Sequence, residues 1–383
     1  MPLFWVLLHL SAAGVLVALV NRLGLVRWRR ARAAHWTERA RLLWPVRFTA
    51  GLNIFLIPLL LSETHQLLQP EPLPVWVIYY VAGMAGTVLG GYGLNREIHP
   101  ELDFRRWCHH MLALWGLRSS GWLMLLAAGL LMPADPGWEM GLVTGAWLGF
   151  HLLRMRGFLL RSLTLVNLLR PAGSRLQGIV AAMSGRMGIQ PGATWELSSV
   201  LANAAALPTT RELFFTSRLL ELCTDEEVAG IAAHELAHLS ESNAVRAGRL
   251  LGSLLFFPLI FLKPCATHFG VAGVAVLELV LLLLLVFSRQ LSQRMEKRAD
   301  ALARQEQTGD GIYARTLEKL YQSNQMPAVM PRGRRTHPHL YDRMLAAGLT
   351  PDYPRPTPPG RITLPGWVII AGIVVMALAL ALA

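Results

Sequence analysis

Residues 224–239 read Thr224-Asp225-Glu226-Glu227-Val228-Ala229-Gly230-Ile231-Ala232-Ala233-His234-Glu235-Leu236-Ala237-His238-Leu239. Thr224 with Glu227 has the spacing of a capping box, and Asp225 and Glu226 suit the positive end of a helix dipole. Val228, Ile231, Ala232 and Leu239 supply an apolar face, so the stretch predicts a helix. On that helix His234 and His238 (i, i+4) stack on one face with a rise of about 6 Å. Two imidazoles so placed can meet one tetrahedral Zn²⁺ at about 2.0–2.1 Å each. Glu235 is offset around the helix, where its carboxylate reaches a water on the metal instead of the metal. The plain alternative is a pair of histidines packed or solvated on a helix.

A catalytic zinc needs three protein ligands and an open position. Glu296, in Glu296-Lys297-Arg298-Ala299-Asp300, is the candidate third. Asp300 shares its helix face and is placed to orient a ligand histidine through the other ring nitrogen. Taken alone, Glu296 and Asp300 read as a solvated acidic pair balanced by Lys297 and Arg298. The course of the chain between His238 and Glu296 decides against that reading. Two apolar spans intervene, and two crossings return the chain to its starting side.

The surrounding chain is built for a bilayer. Of its 383 residues 53% are hydrophobic and 16% charged, against roughly 25% charged in an ordinary soluble domain. The apolar residues gather into spans near 2–20, 48–61, 75–95, 111–132, 138–153, 248–262, 267–287 and 365–383; those at 48–61, 138–153 and 248–262 are short of a full crossing. The predicted fold class is mainly α: a polytopic α-helical membrane protein of about 7–8 transmembrane helices with a cytoplasmic α+β domain. Loops 21–47 and 96–110 and the stretches 154–249 and 289–298 are rich in Arg, whereas 62–74 and 133–137 contain no Lys or Arg and the short loop 263–266 only Lys263. One orientation satisfies all of them, with the N-terminus outside and the His234 helix in the cytoplasm. The same bias accounts for the net charge of +12, so a nucleic-acid partner is not expected. Apolar residues precede the first basic cluster, the reverse of a secretory signal, so the first span is expected to be retained. Cys108, Cys223 and Cys265 are isolated and imply no disulfide framework.

The expected organisation is an N-terminal membrane bundle of about five spans (1–158), a catalytic segment with the two-histidine helix (159–247), a membrane hairpin (248–288), a catalytic segment with the third ligand (289–345), a Pro-rich linker (346–363) and a final span (364–383). Within these, 212–216 predicts a strand, 289–324 one helix, and 326–365 an extended segment rich in proline. Glu278, Arg118 and His151 fall inside predicted spans, where ionisable groups face a cavity or a partner. A water-filled chamber and a Glu278–Arg118 pair explain them equally well. Arg332, Arg334 and Arg335 suit a lipid headgroup.

Five motifs in order resemble the zinc metallopeptidases that include the CAAX prenyl endopeptidases and the HtpX heat-shock membrane proteases. They are Asn203-Ala204-Ala205-Ala206-Leu207-Pro208; Leu213-Phe214-Phe215-Thr216 with Leu219-Leu220; His234-Glu235-x-x-His238; Glu296-x-x-Ala299-Asp300; and Thr336-His337-Pro338 with Arg343. The resemblance covers roughly 200–345. It implies a gluzincin-like α+β domain with one Zn²⁺ per chain held by His234, His238 and Glu296, Glu235 as general base, Asp300 in support, and His337 and Arg343 acting on substrate or on a developing oxyanion. Asn203 and the strand edge near Phe214 are the expected substrate contacts, the substrate adding as a strand. The spans before the two-histidine helix look more like the CAAX branch; the final span departs from both branches. A bacterial inner membrane suits the Arg-biased composition. The expected partners are the bilayer and a protein or peptide substrate, membrane-associated or misfolded, with no oligomeric state encoded. The alternatives are a signalling metallopeptidase of the antirepressor type, disfavoured by short outside loops, and a non-catalytic protein that holds zinc for structure, which would need a fourth ligand.

Overall fold

A computed structural model describes residues 2–307, 309–331 and 338–382. The chain is mostly helical, with one small sheet, and divides into two compact units. Among the described residues, four helices are long and apolar enough to cross a membrane: Leu3–Arg30, Trp36–Leu68, Leu73–Ile98 and Asn243–Gln305. Two more apolar helices, Ser119–Leu131 and Leu364–Ala379, are shorter.

The first unit comprises Met1–Met111, Tyr321–Gly333 and Asp352–Ala383. Its framework is helices α1 (Pro2–Gly24), α2 (Trp36–Leu68) and α3 (Leu73–Gly90). The segment predicted near 48–61 is the middle of the much longer α2. Helices α1 and α3 touch through backbone. A Cβ on Gly86 would stand 2.0 Å from the Leu10 carbonyl oxygen, and one on Gly90 2.2 Å from that of Gly14. Only glycine permits this approach, the close packing typical of small residues between membrane helices. Ala13, Val17, Val20, Ile57 and Ile369 form a core around it.

The second unit, Leu112–Leu320 and Arg334–Pro351, takes up most of helix α4 (Phe104–Leu131) and then α5 (Trp138–Met155). Next come strand β1 (Leu169–Pro171), helix α6 (Ser174–Met187) and strands β2 (Ala193–Leu197), β3 (Ala204–Leu207) and β4 (Glu212–Thr216). The sheet order is β1-β2-β4-β3, with β2 and β4 parallel and both outer pairings antiparallel. Of these strands the sequence predicts only β4, whose five residues are all buried. Its Phe214 packs with Leu163, Leu168 and Leu169 in the core beneath the sheet. Phe214 therefore corrects an expectation: β4 is an inner strand, and the edge is β3.

Helices α7 (Asp225–Leu239) and α8 (Asn243–Ser253) follow. A 3-10 turn, Phe257–Phe261, then leads to α9 (Leu262–Gln305), which breaks at Gly270, where φ is +54°. The expected span 248–262 is thus not one helix, and the expected loop at 263–266 is helical. Residues 289–324 are likewise not continuous: α9 ends at Gln305 and α10 (Ile312–Ser323) starts after a turn with Gly311 at φ +75°. The proline-rich stretch also contains a short helix, α11 (Leu340–Ala346), before α12 (Leu364–Leu382). Proline fixes the flanks but leaves 340–346, which contains none, free to coil. Of the ionisable groups expected inside spans, His151 is buried and bonded to Ser253 Oγ at 2.9 Å. Glu278 lies on the exposed surface of α9, and the Arg118 side chain lies outside the described set.

Candidate metal centre

Helix α7 is fixed at both ends. Thr224 and Glu227 complete the capping box at its start, and Lys319 of α10 reaches Glu227 at 2.8 Å. At its end Arg298 of α9 donates to the Ala237 carbonyl at 3.1 Å and to Ser240 Oγ at 2.9 Å. The Ala237 carbonyl is one of the last-turn backbone acceptors that a helix C-terminus leaves without an intrahelical i+4 donor. The basic residue that might have balanced a solvated Glu296 instead pins α9 against α7. Residues Gly230–Leu239 are buried throughout.

With the two helices pinned, three donors converge. His234 Nε2 lies 3.3 Å from His238 Nε2. Glu296 places Oε2 3.5 Å from His234 Nε2 and Oε1 3.6 Å from His238 Nε2. Ligands of a tetrahedral ion at about 2.0–2.1 Å stand about 3.3 Å apart. The three buried donors therefore fit one Zn²⁺, and their kind, two imidazoles and one carboxylate, is that of a catalytic zinc. Glu235 is buried on the same helix.

Both histidines are oriented from behind. Tyr313 Oη lies 2.7 Å from His234 Nδ1 and donates to Asp300 Oδ1 at 2.9 Å. Asp300 Oδ1 is itself 3.2 Å from His234 Nδ1. Arg343 closes the group, with Nε 2.8 Å from Asp300 Oδ2 and Nη2 2.6 Å from Oδ1 and 2.9 Å from Tyr313 Oη. This network assigns the proton of His234 to Nδ1 and leaves Nε2 as the metal donor. His238 Nδ1 faces Glu241 Oε1 at 3.0 Å, and Arg249 holds both Glu241 oxygens, Nε to Oε2 at 2.7 Å and Nη2 to Oε1 at 2.5 Å. Burial would raise the Glu241 carboxyl, but hydrogen bonds to His238 and Arg249 outweigh it and hold the group below its ordinary range.

The structure thus brings together His234, Glu235, His238, Glu296, Asp300 and Arg343. Arg343 is bound to the support of His234 through Asp300, a different placement from the expected one at an oxyanion. His337 lies outside the described residues. His339, two residues further on, is buried. Asn203 is exposed at the start of the edge strand β3, its backbone paired with Thr216. Sequence reasoning missed Tyr313, Glu241 and Arg249. Glu241 had a usable signal, an acid three residues past a candidate ligand; Tyr313 is a lone aromatic with none.

Proton linkage follows from this geometry. In the metal-free protein burial alone would lower His234, but hydrogen bonds to Asp300 and Glu296 and the nearby Glu235 charge outweigh it and raise the imidazole to about 9. Below the ordinary value of about 6.5 that raised pKa stabilises the metal-free fold fully, and the contribution is lost as pH rises through about 9. Zinc must displace the same proton, so its binding runs the other way. Apparent zinc affinity should climb about tenfold per pH unit between pH 6 and 8. Competition titration against a chelator of known affinity measures this; a flat profile would mean that the metal-free His234 imidazole is not held protonated across that range.

A search of curated proteins found no match to the chain. Residues 173–348, the stretch that contains strands β2 to β4, helices α7 to α11 and the converged donors, match the model of peptidase family M48, a family of zinc metallopeptidases.

Proposed function

We propose that the chain is a membrane-embedded zinc endopeptidase that hydrolyses peptide bonds in membrane-associated or misfolded proteins, with its site on the cytoplasmic face. The observation that carries this reading is the buried convergence of His234, His238 and Glu296 beside Glu235. Among the described residues the group supplies three protein donors, the number that a catalytic zinc with an open position uses. The alternation of arginine-rich and arginine-free stretches along the sequence supports the orientation.

When bound, zinc supplies Lewis acidity, making a water acidic near neutral pH and polarising the scissile carbonyl. The Glu235 carboxylate takes the proton of the attacking water and passes it to the departing amine nitrogen. Such general acid–base work is worth typically 10²–10⁴-fold. Asp300 with Tyr313, and Glu241 with Arg249, keep both Nε2 atoms turned inward. The edge strand β3 packs against α7 and supports docking of an extended segment through main-chain hydrogen bonds, with Asn203 at its start. Its Ala204, Ala205 and Ala206 present no bulky side chain to select against sequence.

The detergent-purified chain should cleave an unfolded protein, lose that activity on treatment with a zinc chelator, and regain it when zinc is returned. Activity that survives complete zinc removal would overturn the reading.

A further inference from the structure

A histidine that binds metal through Nε2 depends on whatever accepts its Nδ1 proton; removing that acceptor typically costs 10–100-fold in metal affinity. For His234 the acceptors come from α9 and α10, in the form of Asp300 and Tyr313. His238 has a different arrangement. Its acceptor is Glu241, on the turn that follows α7, with a side chain only 1% exposed. A carboxylate so buried is costly without a counter-charge, and Arg249 provides one through both guanidinium contacts. Arg249 Nη2 also lies 3.3 Å from His238 Nδ1.

The origin of Arg249 gives the arrangement its interest. It belongs to α8, which packs on the stretch of α9 just before Glu296. A Cβ on Gly248 would lie 2.8 Å from Leu291 Cδ2, and one on Gly252 2.8 Å from Ser288 Oγ. Helix α9 then carries Glu296 into the cluster. The helices that bound the apolar segment therefore serve both remaining parts of the site, α9 with the third ligand and α8 with the brace behind the second histidine.

We propose that Glu241 and Arg249 are a positioning pair that holds His238 in the orientation and tautomer needed for zinc, and that α8 delivers this brace from the membrane-proximal helices. The proposal rests on the zinc reading of the site. The competing role for the pair is to stitch α7 to α8 with no bearing on the metal.

The test uses the full chain in detergent. Zinc affinity is measured by chelator competition, and ligand geometry by the visible absorption of the Co²⁺-substituted protein. Glu241→Gln keeps an acceptor but loses the charge. The double variant Glu241→Leu with Arg249→Leu removes acceptor and counter-charge together and leaves no buried ion unpaired. Both should weaken zinc binding, the double variant by about 10–100-fold and Glu241→Gln by less, with a shifted Co²⁺ spectrum. Zinc affinity within about twofold of wild type, with an unchanged Co²⁺ spectrum, would overturn the proposal even if thermal stability falls. Should the double variant fail to fold, Glu241→Gln decides by the same two readouts. A wild-type chain that binds no zinc would overturn the zinc reading itself, and this proposal with it.

Discussion

Glu235→Gln should abolish hydrolysis of an unfolded protein, lowering the rate by about 10²–10⁴-fold or more, while the purified variant still retains zinc. The two halves of this result test different things. Glu235 sits on α7 between the histidines, but the converged donors are His234, His238 and Glu296. Exchanging a carboxylate for an amide of the same shape removes a proton acceptor and leaves the ligands intact. Loss of activity with zinc retained assigns Glu235 to proton transfer. Loss of both would mean that Glu235 takes part in holding the metal. Equal cleavage by variant and wild type would mean that the hydrolysis arises elsewhere. The assay therefore pairs each rate with a zinc content from the same preparation.

The metal donors were legible because each carries a local signal. A capping box, an apolar face and histidines at i, i+4 make α7 readable without a structure, and the capping box is formed as the spacing implies. Glu296 needed one further step, the argument that two apolar spans return the chain to its starting side; the first of these, 248–262, is not one helix, yet Glu296 lies beside the two histidines. What the sequence left obscure depends on tertiary neighbours. Strand β1 has three residues and β3 is Ala-Ala-Ala-Leu, too short and too poor in β-branched residues for a strand pattern to emerge. With β3 unseen, β4 looked like the edge and Phe214 like a substrate contact. Pairing with β2 along one side and β3 along the other gives β4 its inner position, and a run of apolar residues cannot by itself reveal which strands lie beside it. The break after Gln305 did have a signal, the turn-forming Gly309-Asp310-Gly311, which the helical spacing of 296–303 overshadowed.

Arg343→Leu supplies the second large effect, and it discriminates between two roles for one residue. If Arg343 served chiefly to stabilise an oxyanion, the substitution would lower the turnover rate and leave zinc affinity and thermal stability near wild type. The geometry argues for a different outcome. Arg343 is buried, and its Nε and Nη2 both meet Asp300, whose carboxylate stands against His234 and Tyr313. Removing the guanidinium leaves a buried charge without its partner, a loss of about 3–5 kcal/mol in comparable cases. Asp300 would then lie closer to protonation and would hold His234 less firmly, so zinc affinity should fall by about 10–100-fold as well. Arg343→Lys should rescue only in part, since an ammonium cannot reproduce the two-point contact of the guanidinium fork. Thermal unfolding of the detergent-solubilised variants, run with and without zinc, separates the two roles. A large drop in midpoint together with weakened zinc binding makes Arg343 the support of the His234 side of the site. A normal midpoint and normal zinc affinity with slow turnover would return it to the substrate.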